Sequence, residues 1–341
     1  MIVHARAPLR VGLAGGGSDV SPYADIHGGQ VVSVTIDRYA YTELRSHQEE
    51  KLTFHSTDFG VSVSDSIGSM FDSSSELPLH TAVYRRMMSQ YNNDVFEPIE
   101  FTTFSDAPVG SALGASSTLV VSMIKAFDCY LGIGLSPQKI AELAFDIERL
   151  ECGLAGGRQD QFSAAFGGFN FMRFSDGPTE VENLEISEAV VSELESSLVL
   201  FYTGVSRSSS EIIAEQSNNL AVDNSIALEA MHKVKIEAAM MRDYLVSGDF
   251  QGIVDSMNEG WEQKKRTSSA VSNIMIDEIY TSAINAGALA GKISGAGGGG
   301  FMWFFTPIAK RANVLEALQQ FNGTTSNCHF SFKGAEAWIQ N

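Results

Sequence analysis

The feature that most constrains the fold of this chain is a glycine-rich segment that runs directly into an apolar helix. Residues 108–118 read PVGSALGASST. Apolar residues then recur at helical spacing at Val120, Met123, Ile124, Phe127 and Leu131. Glycines let the backbone approach a bound group closely, and the free amides and dipole of a helix N-terminus attract anions. The segment therefore predicts a polyphosphate site, although a flexible turn capped by serine fits the same residues.

Two more glycine-rich segments flank this one in the sequence. Residues 9–19 read LRVGLAGGGSD, without the glycine spacing or the βαβ unit of a dinucleotide-binding fingerprint. The acid of this segment, Asp19, either caps a turn or helix or accepts hydrogen bonds from sugar hydroxyls. Residues 292–301 read KISGAGGGGF, and such a glycine run is entropically unfavourable to order in a plain turn. It predicts close approach to a ligand or to another glycine loop, against the alternative of a loose hairpin.

The charge balance limits the class of partner. With 23 basic and 41 acidic residues the formal net charge is -18. This argues against a nucleic-acid partner, because binding a phosphate backbone needs a basic face. Any phosphate must be held locally by backbone amides and a few cations. The scattered cysteines, Cys129, Cys152 and Cys328, predict buried thiols instead of a disulfide framework or a zinc site.

Length and hydropathy predict two packed domains in a cytoplasmic protein. The 341 residues exceed a typical single domain. No apolar run reaches the roughly eighteen positions that a membrane span requires, and the first residues lack a signal-peptide layout. We place the domain boundary in the acidic stretch that begins at residue 176, which gives domains at residues 1–180 and 181–341. Residues 65–76, with three consecutive serines, predict a mobile loop.

Local patterns predict an α+β fold. Alternating residues predict strands at 2–5, 9–13, 30–36 and 39–44, with Asp37 and Arg38 in a tight turn. A helix is expected after Ser136 and Pro137, an N-cap followed by proline. Further strands are expected at 169–173, 197–202 and 301–305, and helices between 210 and 286. Because these elements interleave without regular alternation, a doubly wound parallel sheet is disfavoured.

The three glycine-rich segments, in this order, resemble those of the GHMP small-molecule kinases, named for galactokinase, homoserine, mevalonate and phosphomevalonate kinases. The resemblance covers nearly the whole chain. It implies a ribosomal protein S5 domain 2-like N-terminal domain, a ferredoxin-like C-terminal domain, and an ATP and Mg²⁺ site in the cleft between them. The implied ATP-binding residues are Pro108, Gly110, Ser111, Ala112, Leu113, Gly114, Ala115, Ser116 and Ser117.

The resemblance also implies a magnesium site. Serine hydroxyls and carboxylates are the hard oxygen ligands that this ion prefers. Alanines at two positions of the glycine loop depart from the usual family pattern, which leaves open whether Ser116 or Ser117 reaches the metal. Glu148 is the expected carboxylate ligand, with Glu151 as the alternative.

Two residues are implied to act on the accepting hydroxyl. Asp160 matches a family acid that takes the hydroxyl proton or orients the hydroxyl, although an acid just after two glycines also suits a helix cap. Arg10 matches a family cation beside that acid, and its alternative is a surface arginine at a strand end. The expected substrate-binding residues are Arg10, Gly17, Ser18, Asp19, Asp160, Gly297 and Gly298.

Within the family, residues 13–29, 157–161 and 166–169 are similar to the kinases that phosphorylate the anomeric hydroxyl of D-glycero-D-manno-heptose 7-phosphate. Fucose kinase domains share much of the sequence in these segments. The alternatives are therefore a fucokinase-like enzyme for an unphosphorylated sugar, a non-catalytic sugar sensor and an ATP-dependent decarboxylase. The substrates expected are ATP and a small phosphorylated sugar, and no protein partner is implied. Candidate cations for the sugar phosphate are Arg158, Arg38, Lys264, Lys265 and Arg266.

Overall fold

Two long antiparallel strands, β1 (Ile2–Ala14) and β2 (Gly29–Ser46), form the centre of the larger of two sheets. The computed structural model describes residues 1–47, 49–67, 76–108, 110–205, 209–221 and 225–340. The expected mobile loop at 65–76 therefore falls mostly outside the described residues, as does Val109 of the central glycine segment.

The larger sheet has eight strands among the residues that the structure describes. Its remaining strands are β3 (Lys51–Ser56), β4 (Val61–Ser66), β5 (Ile99–Ser105), β6 (Phe169–Phe174), β7 (Glu180–Asn183) and β12 (Glu336–Ile339). The order is β12-β1-β2-β5-β3-β4, and β6 pairs with the first part of β2 and with β7. Only the β3–β5 pair is parallel among these pairs of described strands. A mainly antiparallel sheet confirms the predicted fold class.

The predicted tight turn at Asp37 and Arg38 is wrong. Both residues lie inside β2, which continues to Ser46. The register with β1 shifts between the pairs Pro8–Tyr39 and Arg10–Thr35, so β2 carries the extra residues of a bulge. A bulge interrupts the alternation of side chains just as a turn does, and the sequence pattern alone does not separate them.

Helices cover one face of the larger sheet. They are α2 (Pro78–Tyr91), α3 (Ala115–Leu131), α4 (Pro137–Phe145) and α5 (Gln159–Phe166). The predicted helix after the glycine loop is confirmed as α3, with Val120, Ile124 and Phe127 in the core. The predicted N-cap is also confirmed, because Ser136 accepts a hydrogen bond from the backbone N–H of Lys139. A π-helical turn, Asp146–Glu151, follows α4 directly.

The smaller sheet has the strands β8 (Leu198–Tyr202), β9 (Ala290–Ile293), β10 (Phe301–Phe305) and β11 (Thr324–Ser326), paired antiparallel in the order β11-β8-β10-β9. Its helices are α7 (Ser209–Ala221), α8 (Ser225–Ser247), α9 (Phe250–Thr267) and α10 (Ile274–Asn285) between β8 and β9, and α11 (Arg311–Leu318) between β10 and β11. This β-α-β-β-α-β succession is the ferredoxin-like arrangement that the resemblance implied. Two shorter elements, α1 (Tyr23–His27) and the 3₁₀ turn Ile308–Lys310, and the helix α6 (Glu188–Ser197) complete the set.

One apolar cluster joins the two sheets. Val11 and Val34 of the larger sheet pack in the same cluster as Leu200 and Trp303 of the smaller one. The chain also returns to the first sheet, since β12 pairs with β1 through Ala5 and Ala337. The division at residue 180 stays a prediction. Among the described residues, no helix is both long and apolar enough to span a bilayer.

Candidate active site

A cavity of about 500 Å³ brings all three glycine-rich segments together. The following residues singled out from the sequence line it: Arg10, Gly17, Asp19, Gly110, Ser111, Ala112, Gly114, Ala115, Ser116, Ser117, Glu148 and Asp160. These residues come from β1 and the turn after it, the loop before α3 and the first turn of α3, the π-helical turn and α5. Residues far apart in sequence therefore converge on one space.

Several other predicted residues do not line the cavity. Leu113 is fully buried in the apolar core. Ser18 directs its hydroxyl to the carbonyl oxygens of Gly15 and Gln30. The carbonyl of Pro108 accepts a hydrogen bond from the N–H of Ser111, which closes the loop. These residues shape the loops instead of facing the cavity.

The long glycine run meets the cavity through its first residues only. Gly295 and Ala296 line the cavity. Gly297 and Gly298 do not, because they pack on the segment before α10: the N–H of Gly298 donates to the carbonyl of Val271 at 2.9 Å, and a Cβ on Gly297 would lie 2.6 Å from that oxygen. The sequence did not reveal which amides of the run face inward.

The glycine run also interlocks with the central glycine loop. A Cβ on Gly295 would lie 2.7 Å from the carbonyl oxygen of Ala112, and one on Gly300 would overlap the carbonyl of Ser111. The N–H of Phe301 donates to that same Ser111 carbonyl at 3.0 Å. The predicted close approach between two glycine loops is confirmed, and the run also forms the connection of the antiparallel β9–β10 hairpin.

Arg10 and Asp160 form a tight ion pair at the cavity wall. Nε and Nη2 of Arg10 lie 2.7 and 2.6 Å from Oδ1 of Asp160. Nη1 donates to the carbonyl of Ala112 and the hydroxyl of Ser294. Arg10 is only 2% exposed, so it is not a surface arginine. The pair therefore fixes a carboxylate and a guanidinium group side by side at the cavity wall.

Asp19 caps the helix that carries Asp160. Its Oδ2 accepts hydrogen bonds from the backbone N–H groups of Arg158 and Gln159 at 3.0 and 3.1 Å. Its Oδ1 accepts from the side-chain amide of Gln159 and the N–H of Gly17. The capping interpretation of Asp19 therefore holds, and its carboxylate also lines the cavity.

The start of α3 and the π-helical turn present oxygen atoms that suit Mg²⁺. Glu148 is fully buried, and burial raises the pKa of its carboxyl group. The hydroxyl of Ser116 lies 3.3 Å from Oε1 of Glu148, and the side-chain amide of Gln161 donates to Oε2 at 2.6 Å. Within the described residues, Oε1 of Gln161 is buried without a hydrogen-bond partner. This donor set fits a hard cation.

The alternative metal ligand faces elsewhere. Glu151 forms an ion pair with Arg86 and does not line the cavity. The geometry therefore favours Glu148.

Of the cations considered for a sugar phosphate, Lys264 alone lines the cavity among the described residues. Its Nζ donates to the carbonyl of Gly295 at 2.6 Å, and burial lowers its pKa to about 8. Arg158 is bound to Asp25 and to the carbonyl of Ser175. Arg38 lies over the ring of Phe301. These arginines do not reach the site.

Sequence reasoning missed a second, mainly apolar pocket of about 250 Å³. It adjoins the first cavity, since Gly110, Ala115, Ser116 and Leu154 line both. Its apolar lining includes Phe59, Val61, Leu77, Pro78, Leu79, Ala107 and Leu119. These residues are scattered over three connections, the strand β4 and the helices α2 and α3, so no local pattern marks them. His80 also lines it, and burial lowers the pKa of that imidazole to about 4, which keeps it neutral near pH 7.

Comparison with known proteins identifies the family. Residues 78–168 match the GHMP kinases N terminal domain, and residues 241–323 match GHMP kinases C terminal. A D-glycero-alpha-D-manno-heptose 7-phosphate kinase of Campylobacter jejuni is 38% identical over 339 residues, which cover 98% of each chain. The chain belongs to the GHMP kinase family. GHMP kinases transfer a phosphate group from ATP to a hydroxyl group, generally with Mg²⁺.

Two other GHMP kinases extend the comparison. The crystal structure of a D-glycero-D-manno-heptose 1-phosphate kinase from Bacteroides thetaiotaomicron superposes with a TM-score of 0.84 at 37% identity, covering 99% of both chains. An L-fucokinase/L-fucose-1-P guanylyltransferase of Bacteroides fragilis is 28% identical over 96% of this chain but only 37% of its own length. These similarities confirm the GHMP kinase resemblance seen in the sequence.

Proposed function

We propose that this GHMP kinase transfers the γ-phosphoryl group of ATP to the anomeric hydroxyl of D-glycero-D-manno-heptose 7-phosphate, giving the 1,7-bisphosphate and ADP. The observation that carries the proposal is the Arg10–Asp160 pair on the wall of a glycine-loop cavity. It occurs in a chain that is 38% identical, over nearly full length, to a kinase named for this substrate. We further propose a cytoplasmic location, because ATP is the donor.

We assign the phosphates of ATP to the loop between Gly110 and Ser117. The N-terminus of α3 points its free amides and dipole at this space. We assign the adenine ring to the adjoining apolar pocket, whose lining of aliphatic side chains and Phe59 suits a flat ring. The two cavities share Ala115 and Ser116, so one extended ligand fits both.

We assign Mg²⁺ to Ser116 and Glu148. When bound, the ion neutralises charge on the phosphate oxygens. Gln161 positions the carboxylate of Glu148 through its side-chain amide. The Ser117 hydroxyl accepts hydrogen bonds from Arg149 and Gln161, so the first turn of α3 holds two hydroxyls at fixed positions beside this carboxylate.

The transfer step follows from the position of Asp160. The anomeric hydroxyl oxygen attacks the γ-phosphorus, the new O–P bond forms as the bond to the β-phosphate oxygen breaks, and ADP leaves. The hydroxyl proton passes to the Asp160 carboxylate. Arg10 holds that carboxylate in place and offsets negative charge in the transition state. Positioning and charge neutralisation supply most of the rate.

We assign the sugar to the end of the cavity lined by Gly17, Asp19, Gly295 and Ala296. Lys264 lies at this end, close to Gly16, and supplies a cation for the polar sugar. By capping the start of α5, Asp19 holds the helix that carries Asp160 in position relative to the sugar. We therefore give the amides of Gly295 and Ala296 the role that the sequence predicted for Gly297 and Gly298.

The test is ADP release with Mg-ATP against D-glycero-D-manno-heptose 7-phosphate, mannose 6-phosphate, L-fucose, galactose and mevalonate. We expect turnover with the heptose phosphate and its loss in Asp160→Asn. Preference for L-fucose would contradict the assignment of the heptose substrate but would still support kinase activity. Release of phosphate with carbon dioxide would indicate a decarboxylase. ATP binding without turnover on any sugar would indicate a sensor.

A further inference from the structure

We propose that Arg149 is a second catalytic cation, which contacts the terminal phosphate of bound ATP in the cavity that the Arg10–Asp160 pair also lines. The inference rests on the proposed function, since it names a partner for the phosphate in the same cavity. It starts from the π-helical turn that follows α4.

The π-helical turn aims two consecutive side chains at one cavity. The N–H of Cys152 donates to the carbonyl of Ile147, five residues earlier, so the turn is wider than an α-helix. Glu148 and Arg149 both line the cavity. Leu150, the next residue, is 71% exposed. Short π-helical turns occur often at functional sites, because they re-aim side chains.

The guanidinium group of Arg149 is shielded but loosely held. Its side chain is 13% exposed, and its Nη1 lies 3.8 Å from Oε1 of Glu148, beyond hydrogen-bond distance. Nε donates to the carbonyl of Gly157 at 3.3 Å, and Nη2 to the hydroxyl of Ser117 at 3.4 Å. These contacts are long, whereas Arg10 holds Asp160 at 2.6 Å. The Arg149 donors are therefore available to a stronger acceptor.

The neighbouring turn leaves room for this guanidinium. Gly156 has a φ of +158°, and a Cβ there would overlap the guanidinium of Arg149. Glycine at this position lets the turn pass directly over the guanidinium group in its present place.

The location of Arg149 in the cavity indicates which part of a bound nucleotide it contacts. Its contact with Ser117 puts it beside the first turn of α3, where the phosphate loop ends. Among the described residues, the other cations that line the cavity, Arg10 and Lys264, are already bound to Asp160 and to the Gly295 carbonyl. Guanidinium groups bind phosphate through paired N–H donors. Arg149 is placed to hold the phosphate that is transferred.

The test compares nucleotides that differ in the terminal phosphate. Wild type, Arg149→Gln and Arg149→Lys are titrated with Mg-ADP and with a non-hydrolysable Mg-ATP analogue. Arg149→Gln should weaken binding of the ATP analogue by about 10- to 100-fold and binding of ADP by no more than about threefold. Turnover should fall by about 10³-fold, and Arg149→Lys should recover part of both.

The matched control is Arg86→Gln, which removes a cation from the outer side of the same turn, where it pairs with Glu151. It should leave both affinities unchanged. If Arg149→Gln weakens the binding of ADP and of the analogue equally, Arg149 has a structural role and the inference is overturned. Unchanged binding of the analogue would overturn it as well. Should Arg149→Gln not fold, the same comparison is read from Arg149→Lys. Failure of the wild type to bind either nucleotide would instead overturn the proposed function.

Discussion

Arg10 directs two nitrogen atoms at a single oxygen of Asp160: Nε and Nη2 lie 2.7 and 2.6 Å from Oδ1. The second oxygen, Oδ2, lies against Gly114, where a Cβ would come within 3.0 Å of it. The carboxylate thus has one oxygen committed to charge pairing and one beside the loop assigned to the phosphates. This asymmetry suits a group that is held in place through one oxygen and faces a ligand with the other.

Asp160→Asn tests that arrangement. We expect kcat to fall by about 10²- to 10⁴-fold, because the amide cannot take the hydroxyl proton. KM for ATP should change little, since Asp160 is not assigned to the nucleotide. Steady-state ADP release measures both constants, and the unfolding midpoint controls for loss of structure. Turnover within about threefold of wild type would show that Asp160 only pairs with Arg10.

Glu148→Gln separates metal binding from stability. The variant should need at least about tenfold more Mg²⁺ for half-maximal turnover, because an amide is a weaker ligand than a carboxylate. The metal-free protein should become more stable by about 1 kcal/mol, because burial disfavours the charged form of Glu148. Activity against Mg²⁺ concentration and urea unfolding in chelator measure the two effects.

Glu151→Gln is the control for that variant, since Glu151 lies on the same turn and pairs with Arg86 outside the cavity. Its Mg²⁺ requirement should equal that of wild type. A shift as large as that of Glu148→Gln would favour the alternative ligand.

Gly295→Ala measures the cost of the close approach between the glycine loops. Gly295 and Gly132 have the same φ of +65°, but a Cβ on Gly132 meets nothing within 4 Å, whereas one on Gly295 lies 2.7 Å from the Ala112 carbonyl. Gly132→Ala should destabilise by about 1 kcal/mol from backbone strain alone. Gly295→Ala should destabilise by about 2 kcal/mol more and lower turnover. Equal unfolding free energies would mean that the loops are free to separate.

Lys292→Met should flatten the dependence of stability on pH. Burial, with further repulsion from Lys264 and Arg10, lowers the pKa of Lys292 in the folded protein to about 7 from 10.5. Between these values the unfolded chain binds a proton that the folded chain does not. The free energy of unfolding therefore rises with pH across this window, by up to about 1.4 kcal/mol per pH unit.

Urea unfolding of wild type and Lys292→Met at about pH 7, 8 and 9 checks this slope. As pH rises, the free energy of unfolding of wild type should increase steadily relative to that of Lys292→Met. Parallel curves would show that the folded protein keeps Lys292 protonated throughout.

The sequence predicted those parts of the site that depend on local pattern. The glycine loop before Val120 and the Ser136 cap are contiguous signals, and the structure has both. Asp160 and Arg10 required family resemblance, because 150 positions separate them and no local pattern links them. Their pairing is set by how α5 packs against β1.

The features that the sequence analysis missed depend on tertiary contacts. Gly297 and Gly298 face Val271 instead of the cavity, and a residue without a side chain carries no signal of direction. The bulge at Asp37 resembles a turn in its residue pattern. Arg149 and the apolar pocket around Leu77 depend on a π-helical turn and on segments distant in sequence.

The interlock between the glycine loops also bears on how a ligand enters. Ser111 belongs to the loop before α3, and Phe301 begins an inner strand of the smaller sheet, yet the two are joined by a backbone hydrogen bond. A hinge that parted the sheets would break this bond and pull apart the loop assigned to the phosphates. Nucleotide exchange is therefore expected to proceed through local movement at the cavity mouth, with the two sheets remaining docked throughout the catalytic cycle.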